Sequence, residues 1–270
     1  MKTAQPLVSI CIPSYNNEKF ITETLKSIFA QSYQNIEVFI CDDHSTDATV
    51  EKIKEFNDPR LKYLVNPANI NRKNNYNKAL SYASGKYVKL LCGDDVITPD
   101  CIEKQVAAFE TNEDKNIVLV TANKNVVDQN GRRTFFIKFP GKGFIDGKKA
   151  IKKSVRYGGN ICGEPGLPLM RTEIMKKTLP IHDDFELWIK MMSYGNLFVI
   201  NETLFHFRIS KGSGTASPGF RKLGMKILYH YFDEFYKNPA LGLSRRDITI
   251  GKIVVFLKGF ARSVVIWWSL

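Results

Sequence analysis

The first third of the chain alternates short runs of apolar, β-branched residues with longer stretches in which apolar positions return every three or four residues. LVSICI (7–12) reads as a buried strand, and EKFITETLKSIFAQ (18–31) sets Phe20, Ile21, Leu25, Ile28 and Phe29 on one helical face. NIEVFIC (35–41) is the next strand, TDATVEKIKEFN a helix, LKYLV (61–65) a third strand and RKNNYNKALSYAS a helix closed by Gly85. KYVKLL (86–91) supplies a fourth strand, after which Thr98 and Pro99 are placed to cap and open a helix to Glu110. Strand and helix in alternation, joined by short links, predict an α/β fold with a mostly parallel sheet flanked by helices.

After IVLVT (117–121) the rhythm changes. Asn130-Gly131 between apolar flanks signals a hairpin, and DGKKAIKKSVRYGG reads as a basic helix carrying Lys148, Lys149, Lys152, Lys153 and Arg156. LPLMR, a helix over HDDFELWIKMMSYG, and strands LFVI and TLFHFRI complete a mixed second half. Two helical stretches, roughly 218–237 and 246–268, close the chain. With no repeat or low-complexity linker, the expected division is a catalytic unit over 1–215 and a helical extension over 216–270. Within that unit, the change of rhythm divides about 1–120 from about 121–215.

Ligands of such sheets collect at the carboxyl ends of the strands, so the segments that follow each strand carry the chemistry. They are PSYNN, DDHSTD, NPANIN and CGDD, all polar. Asp94 and Asp95 stand side by side at the end of an apolar run, and a hard divalent cation, Mg²⁺ or Mn²⁺, relieves their repulsion while gripping a diphosphate. The structural alternative is an acidic turn favourable to the dipole of the next helix. In DDHSTD, one of Ser45, Thr46 and Asp47 caps the following helix, whereas Asp42 and Asp43 precede the cap, placed to accept from a base N–H or a ribose hydroxyl. In HDDFELW, Asp184 at a helix head can serve as general base toward a substrate hydroxyl, against the plain reading of an N-cap.

The 39 basic against 27 acidic residues, a net +12, favour a polyanionic neighbour: a nucleotide, nucleic acid or an anionic lipid surface. Five cysteines without C-x-x-C spacing fit free thiols in a reducing compartment, and the six-residue apolar run near the N-terminus is too short for a secretory leader, so a cytoplasmic location is expected. GKIVVFLKGFARSVVIWWSL (251–270) is interrupted by Lys252, Lys258 and Arg262 before it can span a bilayer. Ile253, Phe256, Leu257, Phe260, Val264 and Trp267 follow helical spacing, which suits a helix lying on an anionic membrane surface; packing on the catalytic unit or in a homodimer is the alternative.

Taken in order, these segments resemble the family 2 glycosyltransferases of GT-A fold, bacterial polysaccharide-assembly enzymes among them. VSICIPSYNNEKFITETLKSIFAQSYQNIEVFICDDHSTDAT resembles the family opening with P-x-Y-N and D-D-x-S-x-D. The resemblance implies that Pro13, Tyr15 and Asn16 line the donor pocket with Asp42, and that Asp43 holds a uracil-type base or its ribose. NINRKNNYNKAL resembles N-x-G-x-x-x-A-R-N-x-G-L; Asn69 and Asn77 match, while Asn71 stands for the glycine and Tyr76 for the arginine. Asn tolerates left-handed backbone best after Gly, so the turn is expected to survive. LLCGDD resembles a variant D-x-D with Cys92 in the first aspartate's place, which leaves Asp94 and Asp95 to hold Mn²⁺ or Mg²⁺, Asp95 directly. HDDFELW resembles E-D-[YF]-[DE]-L-W and aligns Asp184 with the catalytic aspartate, and FHFRISKGSGTAS resembles Y-R-x-H-x-x-S, matching Arg208 on the donor phosphates but with Ser210 for the histidine.

The implied activity is an inverting transfer from a nucleotide-sugar, with UDP expected, to a hydroxyl of a glycan or lipid-linked saccharide. A metal-dependent sugar nucleotidyltransferase would also use paired acids, but no glycine-rich phosphate loop precedes them. A nucleic-acid-binding protein would account for the charge, yet the strand-end loops are acidic where phosphates would approach, and no nucleic acid partner is expected.

Overall fold

Seven consecutive buried residues, Val8–Ser14, form β1, which needs apolar side chains on both faces because helices cover it from either side. In the computed structural model, which describes residues 5–210 and 220–267 (side chains for 5–210 and 224–258), β1 pairs in parallel with β2 (Ile36–Asp42) and β4 (Tyr87–Leu90). β3 (Leu61–Val65) adds in parallel outside β2. The sheet is completed by β5 (Val96–Ile97), β6 (Ile117–Val127), β7 (Arg133–Ile137), β8 (Gly143–Ile145), β9 (Leu169–Arg171) and β10 (Asn196–Arg208). Its order is β3-β2-β1-β4-β9-β6-β10-β5, with β7 beside β6 and β8 beside β10. Strand order reverses at β1, so the loops after β1 and β4 open a crevice at the carboxyl edge.

Helices α1 (Ile21–Phe29), α2 (Thr49–Lys54), α3 (Arg72–Ser81) and α4 (Cys101–Glu110) cover the first half. Helices α5 (Gly147–Tyr157), α6 (Thr172–Thr178) and α7 (Asp184–Tyr194) cover the second, followed by α8 (Phe220–Lys237) and α9 (Arg245–Trp267). Two apolar clusters lie on opposite faces of the sheet: α1 supplies Ile21, Leu25 and Ile28 to one, α7 supplies Phe185, Leu187 and Trp188 to the other.

Several predicted elements differ in extent. Thr98 does not cap the helix that ends at Glu110; α4 starts at Cys101, because Val96–Ile97 is drawn into an antiparallel bridge with Phe205 and His206. LFVI and TLFHFRI are one strand, β10, carried across the polar pair Asn201-Glu202 by register shifts against β6. The Asn130-Gly131 hairpin forms as predicted between β6 and β7, with Gly131 at φ +76°. All five cysteines are free, four of them buried.

The C-terminal helices are joined to this body by packing. Phe185 of α7 meets Tyr231, Phe232 and Phe235 of α8 edge-on at ring-centroid distances of 5.7 to 6.2 Å. On α9, Gly251 approaches α5 so closely that a Cβ there would lie 2.4 Å from the Val155 carbonyl oxygen. Phe260, Val264 and Trp267, predicted on the amphipathic face, have side chains outside the described residues. Among the described residues no helix is long and apolar enough to cross a membrane.

Candidate active site

At the β1 and β2 ends, the backbone turns are tied by side-chain amides and carboxylates. Asp42 accepts from the Ser45 amide (2.8 Å) and hydroxyl (2.6 Å), so both its oxygens are engaged in the turn. Asp43 is buried but differently held: its Oδ1 accepts from Asn66 Nδ2 (2.9 Å) and the Ile70 amide (2.8 Å), while Oδ2 receives no hydrogen bond among the described residues. Asn16, at φ +51°, accepts the Thr46 amide through its side chain and donates its own amide to Ser45 Oγ, lacing the first loop to the second. Of the three predicted caps Asp47 reaches the helix, accepting from the Thr49 amide at 3.0 Å. Pro13 is buried within β1, and Tyr15 stands 47% exposed, its ring open to a ligand.

Asn69 donates to the Asp43 carbonyl and accepts the Asn71 amide. Asn71 keeps the positive φ expected of the glycine it replaces, at φ +73° and ψ 159°, a region reserved almost wholly for glycine, and its side chain caps α3 by accepting the Asn74 amide. Asn77 exchanges two 2.8 Å hydrogen bonds with the Ile181 backbone, donating to the carbonyl and accepting the amide. It therefore fixes the loop that leads to Asp184.

The CGDD turn after β4 brings Cys92 Sγ and carboxylate oxygens of Asp94 and Asp95 within 4.8 Å of one another. Burial raises the Asp95 carboxyl well above the usual range, reinforced by the neighbouring Asp94 charge, and burial likewise raises Asp94. Two desolvated acids raised in this way are what a cation would ionise, and an all-oxygen pair suits Mn²⁺ or Mg²⁺; the donor set fits such an ion. A Cβ on Gly93 would come 2.9 Å from Asn17 Oδ1, so a larger residue in the turn would displace that side chain. Arg208 backs the pair from β10: its amide donates to Asp95 Oδ1 (3.0 Å) and Nε to the Asp94 carbonyl (2.9 Å). The remaining guanidinium donors go to the carbonyls of Asp128 and Gln129 and to Glu23, and the side chain is 2% exposed. Lys211 and the rest of the KGSGTAS loop lie outside the described residues.

Asp183 caps α7 by accepting the Glu186 amide (2.9 Å), which leaves Asp184 free of capping duty at the first helical position. Asp184 Oδ2 accepts from Asn160 Nδ2 at 2.8 Å. Burial, with the Asp183 and Glu164 charges adding to it, pushes the Asp184 carboxyl up to about 6. The Glu164 charge also raises Asp95, so Glu164, ion-paired to Lys124, acts on both acidic centres. Lys89, buried in β4, holds the same segment by donating to the carbonyls of Gly166 (2.9 Å) and Leu167 (3.0 Å).

Asn160, Glu164, Lys124, Asn17, Asn66 and Asn75 were not legible as site residues. Asn75 donates to the Cys41 carbonyl (2.8 Å) and accepts from Asn66, so these amides link two strand ends. For Asn160 one signal existed: Gly158-Gly159 before it, both at positive φ, marks a sharp turn that presents the amide.

The profile described as Glycosyl transferase family 2 matches residues 9–179, more than half of the chain. The chain belongs to glycosyltransferase family 2. Among its relatives, UDP-Glc:alpha-D-GlcNAc-diphosphoundecaprenol beta-1,3-glucosyltransferase WfgD of Escherichia coli is 31% identical over 263 residues, 94% of this chain and 95% of that protein. The putative glycosyltransferase EpsE of Bacillus subtilis is 37% identical over 116 residues, 42% of each chain. The crystal structure of S. aureus TarS 1-349 with UDP-GlcNAc superposes with TM-score 0.66 at 21% identity, covering 84% of this chain and 66% of that one. The mannosyltransferase PcManGT of Pyrobaculum calidifontis, solved with GDP-Man and Mn²⁺, gives 0.62 at 15% identity over 96% and 70%. The family 2 chain thus has the GT-A fold that its opening motifs implied.

Proposed function

We propose that this glycosyltransferase inverts configuration while moving a sugar from a UDP-sugar to a hydroxyl of a saccharide carried on a lipid diphosphate. The observation that carries the reading is the placement of Asp184 at the head of α7, freed from capping by Asp183 and held by Asn160. The full-length likeness to a glucosyltransferase whose name specifies UDP-Glc and a diphosphoundecaprenol-linked sugar supports both substrate classes.

In this mechanism the Asp184 carboxylate takes the proton of the acceptor hydroxyl as that oxygen attacks the anomeric carbon from the face opposite the diphosphate. The bond from the anomeric carbon to the diphosphate oxygen breaks, and the nucleoside diphosphate leaves with the electron pair. Asp95, with Asp94 beside it, would hold Mn²⁺ or Mg²⁺, which supplies charge neutralisation for the departing diphosphate. Asp43 offers its unpartnered Oδ2 to the base or ribose, and Tyr15 its open ring to the base. Arg208 positions the acidic turn rather than the phosphates, since its donors already have protein acceptors.

A thermal-shift series with UDP- and GDP-sugars, with and without Mn²⁺, tests the donor assignment. A stabilisation by UDP-sugars that needs Mn²⁺ is expected, and about 2.7 kcal/mol accompanies ligand at a hundredfold its Kd. Absence of any shift with either nucleotide, or retention of the donor's anomeric configuration in the product, would overturn it.

A further inference from the structure

Neither 129–145 nor 248–270 contains an acidic residue, and both carry basic and large apolar side chains. The first includes β7, on which Phe135, Phe136 and Ile137 are 69%, 51% and 44% exposed. The second includes α9, on which Ile253, Phe256 and Leu257, spaced as one helical face, are 53%, 62% and 56% exposed. Apolar groups this exposed, in two groups of three, are unusual on a surface that has no partner.

A shallow concavity adjoins the first patch. Its lining takes Ile137 from the end of β7, Tyr157 from the end of α5, and Asn160 and Lys124 from the active site. The Lys258 ammonium of α9 lies 3.3 Å from the Tyr157 ring centroid, so α9 borders the same opening. The concavity, whose Asn160 hydrogen-bonds Asp184, thus has Ile137 of the first patch in its wall and Lys258 of α9 against its Tyr157. Exposed Arg132, Arg133, Lys138 and Lys142 surround the first patch; on the second, half-buried Lys252 is ion-paired with Asp233 and half-buried Lys258 donates to the Tyr157 carbonyl. Apolar side chains ringed by cations match an anionic bilayer, whose headgroups attract the charge while the boundary with the acyl chains accepts the rings.

We propose that β7 and α9 form a two-pronged docking surface for an anionic membrane, with the acceptor pocket opening toward the lipid between them. Docked in this way, the enzyme receives a lipid-linked sugar headgroup without extracting its chain from the bilayer. The pocket's occupant rests on the glycosyltransferase reading; the docking does not.

The full chain is floated with vesicles of 30% phosphatidylglycerol in phosphatidylcholine and with phosphatidylcholine alone, at low and high salt. Wild type is expected to float with the anionic vesicles, less so at high salt. Phe135→Ser/Phe136→Ser and, separately, Phe256→Ser/Leu257→Ser are each expected to lower partition by roughly tenfold or more. Circular dichroism and donor-induced thermal shifts should match wild type, because these exposed side chains lie outside the catalytic machinery. Failure of wild type to float, or undiminished flotation of both folded variants, overturns the proposal. So does a dimer that either variant dissociates without a change in vesicle binding. Flotation that responds to these substitutions in a protein binding no nucleotide-sugar would instead refute the donor assignment and leave the docking surface standing.

Discussion

The Tyr76 hydroxyl and the Cys92 thiol meet at 3.2 Å, and these two residues are the ones that replace the family's arginine and first aspartate. Two departures from the pattern therefore touch. Burial holds both groups well above their ordinary pKa values, with Asp95 and Asp94 adding to the effect on the thiol, so a neutral pair stands where a charged pair would be expected.

A double-mutant cycle on this pair should be strongly non-additive. Cys92→Asp alone adds a third buried carboxylate beside Asp94 and Asp95 and is expected to lower stability in EDTA by about 2–4 kcal/mol. With Tyr76→Arg present the loss should shrink, giving a coupling of about 1–3 kcal/mol. Urea denaturation of the four proteins measures it, and strict additivity would show that the two positions are independent.

As the proposed base Asp184 must be ionised, and burial pushes its carboxyl up to about 6, so kcat/KM should fall as pH drops through that value. Asp184→Asn is expected to lower turnover by roughly 10²–10⁴ while UDP-sugar binding persists. The folded-state value lies above the ordinary 3.8 of the unfolded chain, so burying the charge destabilises the protein. That penalty is absent below about pH 4, grows between pH 4 and 6, and is full above. The Asn variant should thus be more stable than wild type at pH 7.5, by roughly 1–2 kcal/mol after solvent screening, and equal to it near pH 3.5. Thermal denaturation across that range checks the sign.

Asn77 is predicted to act on turnover through the loop it holds. Removing both hydrogen bonds to Ile181 in Asn77→Ala loosens the approach to Asp184, and a misplacement of the base should reduce kcat by roughly tenfold or more. Donor Kd, read by calorimetry, should stay within about twofold. A large loss of donor affinity with kcat preserved would return Asn77 to the nucleotide.

For Arg208 the expectation is a loss of fold and of metal binding together. Arg208→Lys keeps the charge but not the planar fork that serves the Asp94, Asp128 and Gln129 carbonyls and Glu23. Stability should fall by about 2–3 kcal/mol, since buried acceptors lose their donors. Mn²⁺ affinity, followed by the ion's paramagnetic resonance signal, should weaken several-fold as the acidic turn relaxes; unchanged Mn²⁺ affinity would separate the residue from that turn.

The strands of the first half were legible because each is an apolar run bounded by polar turn residues, as in Val8–Ser14 and Ile36–Asp42. β5, at Val96–Ile97, was not, because two residues carry no period of their own and become a strand only by pairing with β10. Asp43, Asp95 and Asp184 announced themselves as acids at element ends. Asn160 and Glu164 did not: Gly158-Gly159 marks a turn before Asn160, but the role of either side chain comes from Asp184, which the fold alone brings beside them. Cys92 and Tyr76 were visible as substitutions, yet their contact across α3 and the β4 turn was not.

Phe185 follows Asp184 directly and is wedged among Tyr231, Phe232 and Phe235. Tyr231, Phe232 and Phe235 of α8 thus form the floor under the proposed catalytic base, and trimming α8 would remove the aromatic socket one residue away from it. Anyone shortening this enzyme for crystallisation or engineering should expect to sacrifice the geometry of proton transfer along with the helices.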